Sequence, residues 1–559
     1  MKNKKLMDSF SLVDEELVAE ADPSASLGAA KAKKAKKAKK ANTLLKRVAL
    51  PLVAACFMVA IILPVIFFGN FTGDNPTTTR SSLKDALLAP EGDLSFGVPE
   101  ASRPDGSIGN GDSYTEIVEN SFVSTLENNK SFFSIDVSTA SFPNIRSTLK
   151  AGYKPDKNAY RVEEILNYFK FNYQTPTSGE VFALNASMFD TPYNASTKLL
   201  TIGLAAEAVE FKDVENNLVF LIDVSGSMYS ANKLPLAQQA FSMLTDQLNP
   251  TDRVSIVTYA GSNQVALAGA YGYEKDKIKA VISDLSAGGS TAGAAGIQTA
   301  YQLAEEYFIE GGNNRVILMT DGDFNVGVSS NEGLVSMISE KRSSGVYFSV
   351  YGFGMGNWKS DKMEAMALAG NGMYSYIDSA LEAKRALVDE IGGSMVVVAK
   401  DVKAGVTFNS EFIDSYRLIG YETKQMSEDE FNNTEKDAGE IGSGHTITVV
   451  YEIKLTEKAF AEDDSLGEVV IKYKTPDTSA DKELSLAIGA SVYHSEMTEN
   501  DAFVASVVEF VLLARDSAYK GDASLDALIN RLSALDFSDD TYKAEFREIV
   551  LLYRNLANQ

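Results

Sequence analysis

The middle of the chain predicts an α/β fold, a mainly parallel sheet with helices on both faces, and three observations lead there. Short apolar runs that read as buried strands alternate with stretches whose apolar residues recur at helical spacing. The first such run, Leu218-Val-Phe-Leu-Ile222, passes straight into Asp223-Val-Ser-Gly-Ser227, which sets three oxygen-bearing side chains where a strand gives way to a loop. Two more junctions of the same kind follow, and in an open α/β sheet the carboxyl ends of the strands are where ligands bind.

Taken in order, each element has its own warrant. After the Leu218–Ile222 strand, Ala237, Phe241, Leu244 and Leu248 fall at i, i+4, i+7 and i+11, one face of a helix. Arg253 to Ala260 alternates as a strand, and Asp276 to Leu285 and Gly293 to Phe308 read as helices. Arg315-Val-Ile-Leu-Met-Thr320 and Val346-Tyr-Phe-Ser-Val-Tyr351 are further buried strands. Upstream, residues 117 to 180 mix a strand with helices, and Val181 to Ala205 gives two strands joined by Asp190-Thr-Pro-Tyr-Asn194. Downstream, Ser394 to Lys400, Ser415 to Tyr421, Thr446 to Leu455, Glu468 to Tyr473 and Leu484 to Ile488 read as strands. The expectation is a β-sandwich built from both flanks of an inserted α/β domain. Phe503 to Leu513 and Tyr542 to Leu556 are apolar at helical spacing and predict packed C-terminal helices.

Residues at i, i+2 and i+4 of an extended segment point the same way, so the Asp223 carboxylate and the Ser225 and Ser227 hydroxyls can converge on one small cation. Carboxylate, hydroxyl and water oxygens suit Mg2+ or Mn2+ better than zinc. Gly288-Gly-Ser-Thr291 ahead of an alanine-rich helix, and Asp321-Gly322 at the end of another strand, offer more oxygens. The alternative is an Asp and two Ser that cap a helix or fill a turn. Asp323 and Asn325 read as shaping the loop. Asp136-Val-Ser138-Thr-Ala140 repeats half of the pattern with Ala140 where the second hydroxyl is needed, and reads as structural.

The pattern DxSxS, then Thr, then Asp-Gly resembles a von Willebrand factor type A (vWA) domain over about Asn217 to Ile391. The resemblance implies a Rossmann-like fold, and it implies that Asp223, Ser225, Ser227, Thr291 and Asp321 form that family's metal-ion-dependent adhesion site, the MIDAS. Thr291 is taken over Ser290 because it lies five residues before Gly296, as in the family. Phe132-Phe-Ser-Ile-Asp136 through Arg146, followed by Arg161-Val-Glu-Glu-Ile-Leu-Asn-Tyr-Phe169, is similar to the upstream region of a bacterial vWA protein family with its own flanking modules. The organisation expected is residues 117–212 as an N-terminal flanking module, 213–392 as the vWA domain, 393–495 as a β-rich flanking domain and 496–559 as a helical region.

Val48 to Phe68 holds no charged residue, and its 21 residues span roughly 30 Å as a helix, the thickness of a bilayer core. Lys46, Arg47 and the tract Lys31 to Lys40 precede it, so the positive side stays inside. The expectation is a single-pass cell-membrane protein with residues 1–47 cytoplasmic, 69–116 a flexible tether and the remainder extracytoplasmic. Val53-Ala-Ala-Cys56 matches a lipoprotein box, but an apolar stretch follows Cys56 where polar residues are usual. Cys56 is the only cysteine, so no disulfide staples the external part.

Residues 1–47 hold 12 Lys and Arg against 6 Asp and Glu, net +6, which leaves 40 against 70, net −30, for the rest. So acidic an external part argues against nucleic acid as its ligand. The lysine tract reads as a topology signal and a patch for anionic lipid. Leu12 to Ala21 has the spacing of a short docking helix and resembles cytoplasmic segments of membrane proteins linked to extracytoplasmic-function sigma factors.

Enzyme chemistry finds little support. The two histidines, His445 and His494, sit without a Cys or a paired Asp-Ser arrangement, and no P-loop, HExxH or Gly-x-Ser-x-Gly occurs. The expected function is binding: a membrane-anchored adhesion protein that engages a protein partner through an acidic residue offered to the metal. The alternative is a transmembrane regulator whose tail binds a cytoplasmic factor such as a sigma factor.

Overall fold

The strand Asn216–Asp223 lies fourth in a six-stranded sheet whose order is Tyr374–Ile377, Tyr347–Phe353, Asn313–Thr320, Asn216–Asp223, Arg253–Tyr259 and Asn263–Tyr271. The pairs are parallel except the last, where Asn263–Tyr271 runs antiparallel as an edge. This computed structural model describes residues 114–135, 137–289, 293–322, 331–354, 360–476 and 480–558, all within one compact unit, Pro99–Gln559.

Period-two alternation explains why the strand sequences are apolar throughout. Leu218, Phe220 and Ile222 face the helix Leu234–Gln247 and the helix Lys275–Ser283, with the Phe220 and Phe241 rings stacked 4.0 Å apart. Val219 and Leu221 face the other way, onto the helices Gly293–Glu306, Asn331–Arg342 and Ser360–Ala369. The sheet is therefore sealed on both sides, and what remains accessible is the end where the strands finish.

The flanks join each other. One five-stranded sheet runs Val123–Ser124, Ile413–Ile419, Thr446–Leu455, Lys198–Ala206, Phe182–Asp190. A second runs Gly439–Gly442, Val397–Phe408, Ser465–Lys474, Asp481–Gly489, with Lys130–Ser134 also paired to Val397–Phe408. In the first, Thr201 opposes Val450, so a strand that precedes the central α/β domain is hydrogen-bonded to one that follows it. Leu200, Ile202 and Leu204 enter the core between the two sheets, while Leu199, Ile419 and Val450 turn outward under a helical layer. That layer combines Ser141–Lys150 and Val162–Asn167 with Glu499–Arg515, Leu525–Ser533 and Thr541–Ala557.

One strand expectation is corrected. Ser394 to Lys400 does not begin as a strand: Ile391–Met395 is helical, closed by the Ser394 hydroxyl on the Ala386 carbonyl at 2.8 Å, and the strand starts at Val397 where the β-branched run takes over. The Ser415 to Tyr421 strand ends early, at Ile419, because Gly420 and Tyr421 take φ of +80° and +56°. The Asn263–Tyr271 edge was not anticipated. Residues 1–47, the span 48–68 and most of the tether 69–116 lie outside the described residues, as does Asp136. Among the described residues no helix is long and apolar enough to cross a membrane.

Candidate functional site

Asp223 closes its strand fully buried, and the chain turns at once: Ser225 N–H donates to Asp223 Oδ1 at 2.8 Å. Among the described residues Asp223 Oδ2 is buried without a hydrogen bond of full geometry, and the Tyr259 hydroxyl lies against the carboxyl. The Ser225 and Ser227 hydroxyl oxygens lie 3.0 Å apart, and the Ser225 hydroxyl also bonds the Asp223 carboxyl. A single turn of 3-10 helix, Gly226–Tyr229, carries Ser227; it buries Met228 and leaves Tyr229 82% exposed at the rim.

Two neighbouring loops close over this turn. Gly288 N–H donates to the Val224 carbonyl at 2.7 Å and Gly226 N–H to the Gly289 carbonyl at 3.1 Å, which lays Gly288 and Gly289 against the Asp223–Ser227 loop. Thr291 itself, with Asp323 and Asn325, lies outside the described residues. On the other side, Asn313–Thr320 runs parallel to Asn216–Asp223 with Ile222 opposite Met319, so Asp321 emerges beside Asp223. The Thr320 hydroxyl accepts from Gly322 N–H at 3.2 Å and shapes that exit. Asp223, Ser225, Ser227 and Asp321 are thus brought together.

The electrostatics are those of crowded anions. Burial pushes the Asp223 carboxyl up to about 6; the hydrogen bonds from Ser225 pull it down and nearby Asp321 pushes it up again. Burial also raises the Tyr259 phenol well above its ordinary value, with the Asp223 charge next in size. Lys233 answers the negative charge: its ammonium stands 2.8 Å from Asp321 Oδ2. Neither Tyr259 nor Lys233 was anticipated. Tyr259 ends a predicted strand and could have been found from parallel pairing, which sets it opposite Asp223; Lys233 gives no periodic signal.

The donors present are hard oxygens, with the buried Asp223 carboxyl beside two hydroxyls, so the residues fit a small divalent cation. No cluster of three His, Cys, Asp or Glu that could hold a metal occurs among the described residues.

Comparison with known proteins bears on the fold and the family. A family model described as von Willebrand factor type A domain matches residues 217–390, one described as von Willebrand factor matches 108–201, and one described as Uncharacterized protein YfbK, C-terminal, matches 393–556. The chain is similar to the Synechocystis protein sll0103, 28% identical over 36% of this chain and 47% of that one. Among solved structures it is similar to a von Willebrand factor type A protein from Catenulispora acidiphila, 18% identical, TM-score 0.39, covering 66% of this chain and 84% of that one. It is also similar to the ArnB paralog VWA2 from Sulfolobus acidocaldarius, 14% identical, TM-score 0.33, covering 67% and 98%. The protein YfbK of Escherichia coli is 36% identical over 464 residues, 78% of this chain and 80% of that one. A match of that extent places the chain in the YfbK family, and the α/β sheet at its centre is a von Willebrand factor type A domain.

Proposed function

We propose that this protein is a membrane-anchored extracytoplasmic binding or adhesion protein that engages a protein partner through a divalent cation in its vWA domain. A vWA domain points to protein interaction or adhesion as its role. One observation supports the finer reading: the buried Asp223 carboxyl beside two hydroxyls and a second carboxylate at the carboxyl edge of a parallel sheet. Asp223, Ser225, Ser227, Thr291 and Asp321 would hold Mg2+ or Mn2+, and the bound ion would supply an electrophilic position for a partner's Asp or Glu. Tyr229, exposed on the same turn, adds aromatic area of the kind that anchors interfaces. The anchor is residues 48–68, with 1–47 cytoplasmic.

The test is capture of envelope proteins by the full chain in magnesium, in chelator, and with Asp223→Ala. Capture lost under both chelator and substitution, with the fold retained by circular dichroism, is the expected result. Capture indifferent to both removes the metal from the function and leaves the tail, residues 1–47, as the segment to examine for a cytoplasmic partner.

A further inference from the structure

Lys233 occupies the candidate site in a way that a surface lysine does not. Its ammonium reaches Asp321 Oδ2 at 2.8 Å with the Asp321 side chain fully buried and its own only 15% exposed. Its aliphatic stem lies over Gly354: a Cβ on that residue, at φ +81°, would stand 2.4 Å from Lys233 Cε. A side chain at 354 would thus expel the lysine from its path. Lys233 stands immediately before the helix Leu234–Gln247. Stem and head together bring one positive charge to Asp321.

Asp223 and Asp321 leave neighbouring parallel strands side by side, two carboxylates at one strand end. A cation is needed between such groups, and the chain carries one of its own. An ammonium on Asp321 Oδ2 works against a divalent ion on the same carboxylate, since like charges a few Å apart in a half-buried site repel. We propose that Lys233 is a tethered competitor for the divalent cation: the ammonium must leave Asp321 before the ion seats, so Lys233 sets how tightly the site holds metal. This rests on the metal-site reading above. A partner's carboxylate, which adds negative charge to the loaded site but not to the lysine-filled one, then favours the metal-bound arrangement, and metal and partner load together.

The experiment is Mn2+ binding to the full chain in detergent, read from the electron paramagnetic resonance of free Mn2+, for wild type, Lys233→Gln, Lys233→Arg and Asp223→Ala. Expected are binding about tenfold tighter in Lys233→Gln, one decade in the binding constant, little change in Lys233→Arg, and loss in Asp223→Ala. A second reading needs no variant: acetylation of the Lys233 amine in the wild type, followed by mass spectrometry, rises several-fold on adding Mn2+. Mn2+ bound equally by wild type and Lys233→Gln, with Lys233 labelling unchanged, overturns the competitor and leaves the metal site standing. Mn2+ bound by neither overturns both.

Discussion

His445 packs over Gly393 so closely that a Cβ on that glycine would stand 2.5 Å from its Nε2. Burial first, then the charges of Lys170 and Arg385, push its imidazole down to about 4 from an ordinary 6.5. The folded chain therefore holds it neutral at a pH where the unfolded chain protonates. Its contribution to stability is complete above the unfolded value and is lost as pH falls toward the folded one, by on the order of 2–3 kcal/mol. Urea titration at about pH 7.5 and about pH 4.5 should show a larger acid loss in the wild type than in His445→Gln; equal losses would contradict the assignment. At this scale the sequence discloses unevenly. Asp223, Ser225 and Ser227 are legible because they lie within five consecutive residues, although the chain leaves the extended form after Ser225 and a 3-10 turn, not strand alternation, sets Ser227 beside Ser225. Lys233 and His445 owe their roles to Asp321, Gly354 and Gly393, which folding alone brings near.

Among the elements, the buried strands of the vWA sheet are legible because burial on both faces demands an unbroken apolar run, as Leu218 to Ile222 shows. The Asn263–Tyr271 edge is not, since its residues are small or half-exposed and Val265 faces solvent. The join between the vWA domain and the sandwich is equally silent in sequence: the helix Ile391–Met395 lies against the strand Gly439–Gly442, and a Cβ on Gly442 would stand 1.8 Å from the Gly393 carbonyl oxygen. Backbone on backbone cannot yield there. Gly442→Ala should destabilise the chain by about 2 kcal/mol or more, read as a lower midpoint in thermal unfolding; an unchanged midpoint would show that the join is looser than its geometry.

On the scale of the whole molecule, one arginine holds three regions together. Arg146, in the helix Ser141–Lys150, is fully buried and donates to Asp378 through Nε and Nη2, to Glu382 at 2.9 Å, to Glu545 at 2.7 Å and to the Tyr168 hydroxyl at 2.9 Å. Asp378 and Glu382 belong to the end of the vWA domain and Glu545 to the last helix. Burial pushes the Glu382 carboxyl up, but Arg385 and Arg146 outweigh it and hold it below the ordinary range. Removing one partner of such a group leaves buried charge uncompensated, so Arg146→Met should cost about 3–5 kcal/mol. Denaturant unfolding followed at the vWA sheet and at the helical layer should then lose its single shared midpoint; one coincident, unshifted transition would refute the coupling. Partners 232 and 399 positions away are beyond any reading of local pattern. The same long reach has a consequence in time. Thr201 waits for Val450, about 250 residues later, which at ribosomal speed is on the order of ten to fifty seconds. The vWA sheet, complete at Ile377, emerges whole within that interval. The binding module therefore closes while the hairpin Phe182–Ala206 still holds its apolar face toward a partner sheet not yet synthesised, and the nascent chain depends on whatever shields that hairpin until the last third is made.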